Sequence, residues 1–202
     1  MYMENTYHHL KKRWKFIFLI GLFVAALSFG ASLLWPLKYR ADAQVLIISK
    51  TRAGVDPYTV VKSAERVGEN LVEVMKTDDF MQKVRAVEGY QLDWSQLDAL
   101  NERQKRRAWP KMVNGSVVYG TGMVNVSVYH QDSALAKRFA GAVSQALSSQ
   151  AWEYVGGDVI LKVVNSPIAT RWPVQPNIPV NAALGFIAGT LLAAFMVTRS
   201  HA

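Results

Sequence analysis

Two long apolar runs, Phe16–Trp35 and Val180–Val197, stand at opposite ends of this chain. Each is about 20 residues, which at ~1.5 Å per residue spans the roughly 30 Å hydrocarbon core of a bilayer. If both cross, nearly everything between them folds on one side of a membrane. A polar middle hides the two runs in the averages, so that the mean hydropathy is only +0.06.

From Leu37 to Ile178 the chain carries 18 Lys+Arg and 14 Asp+Glu. The net charge of +8 is therefore spread along the chain, which is not the clustered footprint of a nucleic-acid-binding protein. A middle of this length holds one domain with a real core and hardly two. With no cysteine present, no disulfide staples the domain.

The expected order is a basic cytoplasmic N-terminus at 1–15, a membrane helix at 16–37, an extracytoplasmic α/β domain at 38–172, a proline-rich strut at 173–179, a second membrane helix at 180–197 and a cytoplasmic tail at 198–202. A cleaved signal peptide is disfavoured. Secretory apolar regions run about 7–15 residues, and Trp35–Arg40 is a bulky approach to a small-residue site at Ala41-Asp42-Ala43. Orientation follows from basic residues near the spans. Lys11, Lys12, Arg13 and Lys15 crowd the start of the first span, against Lys38 and Arg40 beyond it. Lys50, Arg52, Lys162 and Arg171 on the outer side, against Arg199 alone on the inner, reduce that asymmetry.

The expected fold is α+β, with a small mixed sheet and flanking helices between the two membrane helices. Tyr39–Ser49 alternates Tyr39, Ala41, Ala43, Val45 and Ile47 with Arg40, Asp42 and Gln44, the two-residue period of a strand. After Asp56-Pro57, the residues Val60, Ala64, Val67, Leu71 and Val74 form one helical stripe. Thr77 or Asp78 caps a short helix carrying Phe80, Met81, Val84 and Val87 and stopping near Gly89. A third helix is expected from Ser95 to about Ala108, ended by Pro110. Val113–Tyr119 and Met123–Tyr129 flank Gly120-Thr121-Gly122 as a hairpin. Asp132 caps a longer helix with Leu135, Phe139, Val143, Ala146 and Gln150 on one face, and Val159–Val164 is the last strand.

Pro173, Pro176 and Pro179 recur at the three-residue period of a polyproline II helix, which would stiffen the approach to the second span. Pro179 suits that span's first turn, with Asn177 as its cap. Gly185, Gly189 and Ala193 form a small-residue stripe, matched by Gly21, Ala25, Ser28 and Ser32 on the first span. Such stripes are either ordinary membrane-helix composition or a packing surface, within a subunit or between subunits.

These features together resemble the chain-length determinant family, the Wzz-like polysaccharide co-polymerases. They are the basic N-terminus, the first membrane helix, Tyr39, Ala41 and Ala43 on the first strand, Val124–Asp132 leading to Ala136 and Phe139, and Pro173, Pro176, Pro179 and Asn181 followed by Gly185 and Gly189. The resemblance implies a non-enzymatic, two-pass homo-oligomer of the bacterial inner membrane that regulates the chain length of an O-antigen, capsule or exopolysaccharide in the Wzy-type pathway. Its implied partners are membrane lipids, the polysaccharide polymerase and lipid-linked glycan, without cofactor. The short middle resembles the short-loop members. The alternative function is an adaptor for a separate cytoplasmic tyrosine kinase, acting through Met1–Lys15 or the short tail; no phosphate-binding loop of a fused kinase occurs.

Catalytic and metal-binding residues are not expected. His8, His9, His130 and His201 are the only histidines. His130 near Asp132 reads as a strand-end hydrogen bond, and Asp78-Asp79 as acids placed by a helix dipole. Arg103, Lys105, Arg106, Arg107 and Lys111 form a dense basic cluster. They are either a solvated helix face or a patch for anionic glycan or lipid head groups, with Trp109 as a stacking surface. The candidate contacts are thus Arg103, Arg106, Arg107 and Trp109.

Overall fold

The computed structural model describes residues 11–49, 56–156 and 159–199. Its chain forms two compact units. The first joins the two ends, up to Leu37 and from Val174; the second is Lys38–Pro173. His8, His9, Lys50, Arg52 and His201 lie outside the described residues.

The first unit is a pair of antiparallel helices, α1 (Trp14–Leu33) and the last helix, α8 (Ile178–Arg199), both long and apolar enough to cross a membrane. α1 stops short of the expected boundary at 37, because Trp35 precedes Pro36 and a residue before proline is driven out of helical conformation. Pro179 falls in the first turn of α8, and the Asn177 side chain accepts from the Val180 N–H at 3.4 Å. Ahead of it the chain bends at Arg171, Trp172 and Pro176, and the Gln175–Pro176 peptide is cis. Within 173–179 the bend is at Pro176.

The second unit is a four-stranded sheet covered on one face by its own helices. In chain order its elements are β1 (Tyr39–Ser49), α2 (Pro57–Val74), α3 (Asp78–Arg85), α4 (Ser95–Asp98), α5 (Glu102–Met112), β2 (Val113–Val118), β3 (Met123–His130), α6 (Ser133–Gln150), α7 (Trp152–Val155) and β4 (Val159–Ala169). The strand order is β2-β3-β1-β4. Every neighbouring pair is antiparallel rather than mixed. The reason is topological. β3 and β4 run the same way and are joined through α6, but β1 is inserted between them as in a split β-α-β unit, so no parallel pair forms.

The pleat sends Ala41, Ala43, Val45 and Ile47 of β1 and Val124, Val126 and Val128 of β3 into the core, where α2 and α6 cover them. Burying each large aliphatic or aromatic side chain there contributes roughly 1.5–3 kcal/mol. α6 is the central helix, buried at Ala136, Ala140, Gly141, Ala142, Ser144 and Leu147 as well as along the expected Phe139, Val143, Ala146 stripe. Its small residues admit close neighbours: a Cβ on Gly141 would fall 2.4 Å from the Tyr90 ring. β4 extends past the expected Val164 and through Pro167 to Ala169. It tolerates proline because it is an edge strand, and its pairing with β1 shifts register around Gln44, where β4 accommodates extra residues.

The expected third helix is two. α4 ends at Asp98, and Asn101 starts α5 with a reciprocal capping box to Gln104. Pro110 sits inside the last turn of α5, where few helical bonds remain to be lost, and the helix stops two residues later. Asp56, Thr77 and Asp132 each cap their helices through a side-chain oxygen.

The hairpin turn after β2 is held by α2. Glu65 is buried and accepts from the Gly120 N–H at 2.5 Å and from Lys62 Nζ at 2.7 Å, while the Tyr119 hydroxyl donates to Glu69 at 3.2 Å. Gly120 and Gly122 both adopt positive φ, which the turn requires. The Lys62 and Gly120 hydrogen bonds hold the Glu65 carboxyl below the ordinary carboxylate range. A carboxyl depressed by folding stabilises the protein above its unfolded pKa, and that contribution disappears as pH falls through the depressed value. Glu65→Gln should therefore lower the melting temperature at neutral pH, with the gap to wild type closing below the carboxylate range. Thermal unfolding of the full chain across pH 7 to about 3 checks this; a gap constant with pH would contradict it.

Candidate functional site

Three surfaces carry the candidate residues. The first is the contact between α1 and α8. A Cβ added to Gly185 would meet Ser28 Cβ at 2.7 Å, and one added to Gly189 would meet Val24 Cβ at 2.8 Å and Gly21 Cα at 3.0 Å. Ala193 is fully buried further along the same stripe. Glycine is thus required for the backbones to come this close. At one end of the pair Ser28 Oγ donates to the Asn181 carbonyl at 2.8 Å, and Asn181 Nδ2 donates to Ser32 Oγ at 2.9 Å. Phe18 meets Phe186 edge to face at 5.5 Å. The remaining apolar side chains, such as Leu19, Phe23, Leu191 and Phe195, point outward, as lipid-facing residues do.

The second surface is the basic face of α5. Arg103, Arg107 and Lys111, four residues apart, form one exposed stripe. Arg106 pairs with Asp78 of α3, and Lys105 with Glu102 at 3.1 Å. Trp109 does not belong to this surface. It is fully buried, its indole Nε1 donates to the Met75 carbonyl at 2.8 Å, and it stacks on Trp94 at 6.0 Å. As the α5 residue turned inward, it anchors the helix to the core and is unavailable for stacking on sugars.

The third surface was not anticipated. The sheet face opposite the helices carries a polar network. Asn165 of β4 donates to Gln44 of β1, which donates in turn to Asn125 of β3. One strand-step away Ser127 Oγ donates to Asp42 at 2.7 Å, and Asp42 also accepts from Arg40 Nε at 2.9 Å. Together with Ser116 and Ile168 these residues line an open cradle of ≈ 870 Å³. Arg40, Asp42 and Gln44 were visible in sequence as one face of a strand, and Asn125 and Ser127 as the residues alternating with Val124, Val126 and Val128 on another. Their alignment with one another and with residues of the other strands needs the register.

The remaining titratable candidates have structural partners. Asp78 is bound by Arg106, and Asp79 accepts from the Tyr154 hydroxyl, whose pKa is raised by burial and then by that carboxylate. His130 is buried against Phe139, and its Nδ1 accepts from the Asp132 N–H at 3.0 Å; burial pushes its pKa below the ordinary value. The Asp132 carboxylate is occupied in capping α6. Among the described residues no group of three or more His, Asp or Glu is placed to hold a metal.

No curated protein matches the chain. Residues 5–87, which take in α1, β1, α2 and α3, match the family model described as Wzz, chain length determinant protein. That match, on a chain whose α+β domain is flanked by two apolar helices, supports a Wzz-like chain-length determinant.

Proposed function

We propose that this chain is a two-pass membrane polysaccharide co-polymerase that sets the modal length of a surface polysaccharide in a Wzy-type pathway, as a homo-oligomer and without performing a chemical step itself. The match of residues 5–87 to the chain-length determinant family carries this reading. The antiparallel α1–α8 pair supports the two-pass topology. It gathers Lys11, Lys12, Arg13, Lys15 and Arg199 at one end, which the positive-inside rule assigns to the cytoplasm. Polymerase and lipid-linked glycan are the proposed partners. The Gly185, Gly189 and Ala193 stripe is the proposed internal seam of each subunit, and the Pro173–Pro179 segment a stiff link, proline by proline, to the second span.

The exposed Arg103 and Arg107 are the proposed contacts for anionic glycan or lipid head groups. Double charge reversal, Arg103→Glu with Arg107→Glu, should shift the polymer length distribution at normal protein level; an unchanged distribution would remove these residues from the function. Arg106 is a poorer probe, because reversing it sets two acids against each other at Asp78. The reading as a whole is tested by deleting the gene and resolving the polysaccharide by gel.

A further inference from the structure

We propose that the helix-free face of the sheet is a cradle for a neutral, hydroxyl-rich stretch of the growing glycan. This deepens, and rests on, the co-polymerase reading. Four polar residues stand in one cross-strand row: Ser116 opposite Asn125, Asn125 opposite Gln44, and Gln44 opposite Asn165. With strands about 4.8 Å apart, the row crosses the whole sheet over roughly 14 Å, the scale of a short oligosaccharide rather than of a single small ligand.

Its composition is unusual for a strand surface. Asn and Asp are depleted in strands and β-branched residues favoured, yet Asn114, Asn125, Asn165 and Asp42 all sit in these strands. Local rules broken in one place without a packing reason mark function. The register shift between β1 and β4 falls at Gln44 and Asn165, re-aiming side chains at the row itself.

The chemistry selects the occupant. Arg40 and Asp42, the two charged residues of the cradle's lining, neutralise each other at 2.9 Å, so the cradle itself offers no net charge to a phosphate or carboxylate, Lys162 lying further along the same face beside Leu46. The amides hold one another in place, yet each of the Asn125 and Asn165 amides uses only one of its two polar atoms in this row, leaving the other for sugar hydroxyls. Ile168, 74% exposed at the rim, supplies an aliphatic surface for the C–H face of a sugar ring. Protein interfaces are instead enriched in aromatics and depleted in serine, which argues against a second copy as the occupant.

The test uses the full-length protein in cells that make the polymer. A photo-reactive benzoylphenylalanine is introduced at Ser116, or at the exposed Tyr58 as control, and adducts are resolved by immunoblot before and after periodate oxidation. The cradle predicts a slow, heterogeneous, periodate-sensitive adduct at 116 and none at 58. In parallel, Gln44→Ala with Asn125→Ala should shift modal length at normal protein level. A discrete band at twice the subunit mass, a discrete band with another protein, or no adduct at 116 would overturn the proposal. If deletion of the gene alters polymer length while position 116 yields no glycan adduct, the cradle is wrong and the co-polymerase reading stands. If deletion changes nothing, that reading falls, and a glycan adduct at 116 still supports the cradle.

Discussion

Replacing Gly189 with leucine is expected to separate the two membrane helices and abolish chain-length control. The glycine Cα lies where any Cβ would press on Val24 at 2.8 Å and on the backbone of Gly21 at 3.0 Å. Overpacking a tight interface costs about 1–3 kcal/mol. Here the obstructing atoms include main chain, which cannot rotate away, so the upper part of that range applies. The absence of native cysteine makes the pairing measurable. Ser32→Cys with Asn181→Cys joins two side chains that touch at 2.9 Å, and oxidation should protect both thiols from a mass-tagging maleimide. Adding Gly189→Leu should expose them. Full protection in its presence would show that the helices do not pack through this stripe.

Trp109→Ala is expected to destabilise the domain by roughly 3–5 kcal/mol, the usual cost of deleting a buried aromatic. The Met75 carbonyl loses its donor at the same time. Against a total stability of about 5–15 kcal/mol this is a large fraction, so low protein levels should accompany any effect on polymer. Trp109→Phe keeps most of the packing but removes the N–H, and should cost about 1–3 kcal/mol. Thermal unfolding of both variants in detergent checks the order. A normal melting temperature for Trp109→Ala, together with an altered polymer, would return Trp109 to the surface role first considered for it.

The case of Trp109 shows where sequence reading ran out. Its neighbours Arg103, Lys105, Arg106, Arg107 and Lys111 made the whole stretch look solvent-facing, yet helical periodicity turns residue 109 inward while 103, 107 and 111 share the outer face. Features written in local chemistry were legible. The two spans announced themselves by length, the hairpin by its glycines, and the helix starts by Asp56, Thr77 and Asp132, whose side chains find N–H groups two or three residues on. α6 was legible as a helix but not as the centre of the core, because its extra buried positions are mostly Ala, Gly and Ser, which weigh little in a hydrophobic stripe.

Features that depend on distant segments were not legible. Nothing in β1 alone says that β3 and β4 flank it, so neither the antiparallel sheet nor the row through Ser116, Asn125, Gln44 and Asn165 could be read. β4 runs beyond the expected Val164 and through Pro167, and the strand's place at the edge of the sheet is what makes that proline harmless. The burial of Glu65 likewise depends on a distant segment, the hairpin turn that folds back onto it.

The central claim, that this chain controls polymer length, is tested most directly by the length distribution of the cell's surface polysaccharide, resolved by gel in wild type, in a deletion and in the deletion with the gene restored. Length control predicts a modal cluster of bands that disperses on deletion and returns on complementation. A distribution identical in all three strains, with the protein shown to be produced in the wild type, would contradict it.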